Sequence, residues 1–146
     1  MVAICECTFI VGGEPVPEGS TSSFYIKKLN RVVTTHQGQK KLLPYRKTLT
    51  DSFLEEKGDL PFIPTDKKEL KNASYEVWIR FYFTKPINPM SPYKNTRPDL
   101  DKCIRAVLDS LTKHAYMDDG RVTSITAHKS FAEVEPETVV TIRRLT

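Results

Sequence analysis

Across residues 74–84 every second side chain is large and apolar, namely Tyr75, Val77, Ile79, Phe81 and Phe83, with Glu76, Trp78, Arg80 and Tyr82 between them. Neighbouring side chains of an extended chain point to opposite faces, so a period of two dictates a strand with one face in a core. Aromatic and β-branched residues suit that pleated surface. Such a strand needs others beside it and a second layer over its apolar face.

Candidates for the second layer lie on both sides. In residues 44–57, Tyr45, Leu49, Phe53 and Leu54 recur at helical spacing, with Pro44 tolerated in a first turn and Gly58 just past the end. From Pro98 onward, Leu100, Ile104, Val107, Leu108 and Leu111 form a second helical stripe, with Thr96 as its candidate cap. Residues 2–11 read as a first, largely buried strand, ended by Gly12-Gly13. Residues 24–28 and 31–35 read as a hairpin turning at Leu29-Asn30, and residues 122–131 and 138–145 as two closing strands. Residues 59–72 are a surface connection with a helical turn near 67–70, and residues 85–97, with three prolines, an irregular loop carrying Lys85, Lys94 and Arg97. The expectation is an α+β fold, a mixed β-sheet with two main helices packed on one face, in a single small domain spanning residues 1–146.

A chain of 146 residues, 39% of them hydrophobic, is long enough for a core without disulfides or structural metal. Cys5 and Cys7 share one face of the first strand; with Cys103 they make an odd set without a partner Cys/His pair, so they read as packing residues in a reducing compartment. No apolar run approaches the roughly 20 residues that span a bilayer, and the N-terminus lacks a secretory pattern. A soluble protein of the cytoplasm is therefore expected, with no membrane partner. The net charge of +4 decides nothing, but its distribution is informative. Between Gly19 and Thr50 stand Lys27, Lys28, Arg31, Lys40, Lys41, Arg46 and Lys47 with no acid among them. Such a stretch fits either a polyanion-facing surface or a solvated face.

Carboxylates gather around the second helix. Asp99 and Asp101 flank Leu100 at its start, and Asp118-Asp119-Gly120 follows its end. Hard cations such as Mg²⁺ take oxygen ligands and keep waters that phosphate oxygens can replace, which suits phosphodiester hydrolysis. Aspartates also favour the first turn of a helix through its dipole, and Asp-Asp-Gly is ordinary turn chemistry. The residues alone leave both readings open. For the first, if the apolar stripe packs on the sheet, the following strand can return along it, bringing the acidic turn back toward part of the same sheet region. Asp109, four residues after Arg105, reads as a charge-paired helix residue, and His114 and His128 as structural or surface residues.

The segments Arg97-Pro98-Asp99-Leu100-Asp101, Ala106-Val107-Leu108-Asp109-Ser110-Leu111 and Asp118-Asp119-Gly120-Arg121-Val122 resemble, in order and spacing, the signature of the RusA Holliday-junction resolvases. Gly13-Glu14-Pro15-Val16-Pro17 resembles the opening turn of phage-borne members, although Ser20-Thr21-Ser22-Ser23 replaces the basic residues that often follow there. The resemblance implies a Mg²⁺-dependent endonuclease, with Mn²⁺ as a substitute, that resolves four-way DNA junctions by paired nicks as a homodimer. It assigns the metal to Asp99, Asp101 and Asp119, with Asp118 as helper. The family usually has asparagine and lysine where this chain has Lys102 and Arg105. Arginine keeps the charge for a scissile phosphate but is no proton donor at neutral pH, so Lys102 or a metal-bound water would supply a proton. Lys129 aligns with a basic family residue that could reach DNA, and Arg97 joins it as a DNA contact. The alternative these departures leave is an inert junction-binding module of the same fold.

Overall fold

The computed structural model describes residues 2–19, 21–26, 31–36 and 39–146; Lys27 and Lys28, with the expected turn Leu29-Asn30, lie outside them. The elements run β1 (Cys5–Gly12), β2 (Thr21–Ile26), β3 (Arg31–His36), α1 (Gln39–Lys57), α2 (Lys67–Asn72), β4 (Tyr75–Phe83), α3 (Leu100–Leu111), β5 (Val122–Phe131) and β6 (Glu137–Arg144). Four strands form one mixed sheet in the order β1-β6-β4-β5, and β2 pairs with β3 as a separate antiparallel hairpin. In the sheet β6 is antiparallel to β1 and β4, whereas β5 runs parallel to β4. This is the α+β fold that the alternation and the two helical stripes imply.

The alternation of β4 is realised as expected, with Tyr75, Val77, Ile79, Phe81 and Phe83 all buried. Their face meets α1 through Leu42, Tyr45, Leu49 and Phe53, and α3 through Cys103, Ala106, Val107 and Leu111. Phe53 bridges the layers, edge-on to Phe9 of β1 at 5.9 Å and to Phe62 at 5.1 Å. Buried polar groups on this face are satisfied. The Tyr45 and Thr138 hydroxyls lie 2.6 Å apart, and Arg144 donates to the Pro61 carbonyl at 2.7 Å. The opposite face of the sheet stays open, with Ile10 and Trp78 exposed.

Three local expectations are corrected. The first strand is buried on one side only: Cys5, Cys7, Phe9 and Val11 face the core, while Ile4 and Ile10 are exposed, because β1 is an edge strand covered on a single face. Helix α1 begins at Gln39, so Pro44 sits inside it rather than opening it. There it removes the bond to the Lys40 carbonyl and sets its ring against that group, a disturbance confined to the helix's first two turns. Asp99, not Thr96, is the N-cap of α3. Gly58 does end α1, in the left-handed region at φ 49°.

Candidate nuclease site

The β4–α3–β5 unit fixes where the carboxylates lie. Because β5 runs parallel to β4, α3 must carry the chain back to the sheet edge where β4 began. Asp99 therefore sits at the edge where β4 ends, and the Asp118-Asp119 turn at the edge where β5 starts. The 12 residues of α3 separate them, a length of about 18 Å at 1.5 Å per residue. Among the described residues no three of His, Cys, Asp and Glu come together as a metal-holding group. The strand after the helix does return along it, and the acidic turn lies at the opposite end of α3 from Asp99.

At the first end, the Asp99 backbone carbonyl accepts from the N–H groups of Lys102 and Cys103, both at 3.2 Å, opening α3. Its side chain makes no capping bond, so the exposed carboxylate is uncommitted, and Asp101 in the first turn is exposed beside it. Basic groups surround the pair. Lys41, Lys94 and Arg97 line one depression with Glu14, whose carboxylate accepts from the Thr84 N–H at 2.7 Å. This pins the Gly13–Pro17 turn to the end of β4. Burial pushes the Cys103 thiol up to about 11; among the charges around it, Lys129 and Lys94 oppose that shift, and Asp101 and Asp99 add to it. One buried thiol thus reports both carboxylates and both lysines nearby.

The second end is an open hollow lined by Arg46, Asp109, Thr112, Met117, Asp118 and Asp119. Asp118 accepts from the Gly120 N–H at 2.9 Å and caps the short 3₁₀ turn Asp119–Arg121, which leaves the Asp119 carboxylate exposed and free of that duty. Behind it the buried Tyr116 hydroxyl donates to the Leu108 carbonyl at 2.7 Å. Burial and then Asp119 hold that phenol well above its usual range.

The other expected site residues divide between the two ends and the surface. Arg105 is exposed on α3 and Lys102 half-buried, and among the described residues neither makes an ion pair, including the expected one between Arg105 and Asp109. Lys40 and Lys41 are exposed in the first turn of α1. Lys47 pairs with Asp51 at 2.6 Å while its side chain stays largely exposed, and Arg46 leans on Glu18 at 3.8 Å while lining the acidic hollow. Arg31 opens β3. Lys129, expected to face DNA, instead donates to the carbonyls of Thr96 and Pro98, both at 2.8 Å. Lys94 was not among the expected site residues, yet it is bonded to the same loop; backbone acceptors leave no trace in sequence. His114 and His128 are exposed, and the three cysteines are buried and unpaired.

Fold and site together define a small α+β domain whose parallel-strand unit displays uncommitted aspartates among cations, an arrangement suited to a phosphate-bearing polymer. The sequence model of the family described as Endodeoxyribonuclease RusA matches residues 62–143, more than half of the chain, and the chain belongs to that family. It is a family of nucleases of the Holliday-junction resolvase type, acting on junction DNA. No individual curated protein matches the chain. The matched stretch spans β4, α3, β5 and most of β6, and leaves β1, the hairpin and α1 outside it. Among the described residues no helix is long and apolar enough to cross a membrane.

Proposed function

We propose that the protein is a Mg²⁺-dependent, structure-selective endodeoxyribonuclease that resolves four-way DNA junctions by paired symmetric nicks, working as a homodimer. The observation that carries this reading is the pair of half-sites at opposite ends of α3: Asp99 with Asp101, and Asp119 beside Asp118. A two-fold axis across the middle of α3 sets two copies of the helix antiparallel, so each Asp99–Asp101 pair meets the acidic turn of the other copy. The exposed Met117, next in sequence to the acidic turn, supports such a contact. Two equivalent sites then suit a two-fold substrate with two equivalent bonds to cut.

Bound there, Mg²⁺ would activate water and stabilise the departing oxygen. The chain's own cations do the rest. Arg105 offers charge to the scissile phosphate one turn after Asp101, and Lys102, next to Asp101 in sequence, can give up a proton. Lys40, Lys41 and Arg97 bind the phosphodiester backbone. The loop between β4 and α3 exposes Ile87, Met90 and Tyr93 beside these cations, suited to unstacked bases at a branch point. Incubation of labelled four-way junctions, linear duplex and flaps with and without Mg²⁺ tests the reading: cleavage of junctions alone, and only with metal, is expected. Junction binding without cleavage under any metal would favour the inert module.

A further inference from the structure

The loop that delivers Asp99 presents three consecutive carbonyls, those of Thr96, Arg97 and Pro98, to two lysine ammonium groups. Lys129, from the second half of β5 and opposite Phe81 in the parallel register, donates to Thr96 and Pro98 at 2.8 Å each. Lys94 donates to the Arg97 carbonyl at 2.5 Å and to the Thr96 hydroxyl at 2.7 Å, with its ammonium 5.1 Å from the centre of the Phe83 ring. Loop carbonyls outside any strand ladder need donors, and charged donors make the stronger bonds. Crowding two cations here has a cost, since burial and then Lys129 lower the Lys94 pKa. A lysine serving only DNA would not need to bond its ammonium to two backbone carbonyls of one loop.

We infer that Lys129, assisted by Lys94, is a positioning residue: it fixes the backbone of residues 96–98, and through it the direction in which Asp99 presents its carboxylate. In function the inference rests on the nuclease reading; in geometry it stands alone. Groups that orient a metal-binding side chain affect metal affinity by about tenfold to a hundredfold when removed, without touching the metal.

The test compares wild type with Lys129→Met, Lys94→Met and Lys129→Arg. For Lys129→Met, amide hydrogen exchange across residues 96–101 should quicken, and the Mg²⁺ concentration giving half-maximal single-turnover cleavage should rise by about tenfold. Its junction affinity in EDTA should keep the wild-type salt dependence. Lys94→Met should shift the same measurements less, and Lys129→Arg, which can still donate to two carbonyls, should recover most of the wild-type metal response. The inference is overturned if Lys129→Met leaves exchange and Mg²⁺ dependence unchanged while the salt slope shrinks by about 0.9, the signature of one DNA phosphate no longer neutralised. A lower melting temperature with no change in the Mg²⁺ response overturns it equally. If wild type cleaves nothing, the nuclease reading falls, whereas hydrogen exchange still decides whether Lys129 holds the loop.

Discussion

Asp99 caps the N-terminus of α3 by its backbone alone, while Asp119, beyond the other end of the same helix, begins the 3₁₀ turn that Asp118 caps. Each carboxylate is left uncommitted by the structure that positions it, and the 12-residue length of α3 keeps the two apart. On the proposed reading each end of the helix holds half a metal site, which a pair of antiparallel copies can complete.

Asp101→Asn should abolish junction cleavage while binding persists, because the change removes ligand charge at nearly constant volume. A metal that binds the folded state alone also raises its stability by mass action. Wild type should therefore gain thermal stability on adding Mg²⁺ and Asp101→Asn much less, as read by calorimetry. Equal gains in both would locate the metal elsewhere.

Arg105 is exposed and makes no ion pair among the described residues, so it is free to serve the phosphate rather than brace the helix. Arg105→Ala should slow single-turnover cleavage at saturating Mg²⁺ on the order of a hundredfold, with the melting temperature unchanged. Arg105→Lys should keep much of the rate. Restored cleavage by Arg105→Ala at high Mg²⁺ would remove the direct role.

Lys40 and Lys41 are exposed in the first turn of α1, and Lys41 borders the depression beside Arg97. Replacing both with Ala should weaken binding to all junction sequences alike and reduce the salt slope by about 0.9 for each phosphate that the variant no longer neutralises. Unchanged affinity and slope would make this end of α1 a solvated face.

The buried thiols make a pH prediction. Burial raises both Cys7 and Cys103 to about 11 from an ordinary 9.0. The neutral thiol is thus favoured in the folded state, and the stability this contributes is present below pH 9.0 and lost as pH climbs toward 11. At pH 8 iodoacetamide should label these cysteines only as fast as the protein unfolds. Rapid labelling of the native protein would contradict their burial.

Much of this architecture is legible in the residues. The period of two in β4 and the helical stripes of α1 and α3 are long and consistent, so the layers and the covered face follow from them. The helix starts are less legible. Pro44 resembles an opening residue and Thr96 a cap, but α1 gains a further turn ahead of Pro44, and the Thr96 hydroxyl is taken by Lys94. The three aspartates are visible as a set, yet their separation follows from the parallel pairing of β5 with β4, which no local pattern encodes. The bonds Lys129 makes to the loop are not legible, because its acceptors are backbone atoms 33 and 31 residues away in sequence.

The most direct test of the shared site mixes two inactive variants. In a dimer of one Asp101→Asn chain and one Asp119→Asn chain, a site built across the two copies leaves one composite intact and spoils the other twice over. A site built within one chain is damaged in both copies. Each variant alone is therefore expected to leave a four-way junction uncut in Mg²⁺, while the re-equilibrated mixture nicks it on one strand without paired resolution. A mixture as inactive as its components, with mixed dimers verified by mass, would contradict a site shared between copies.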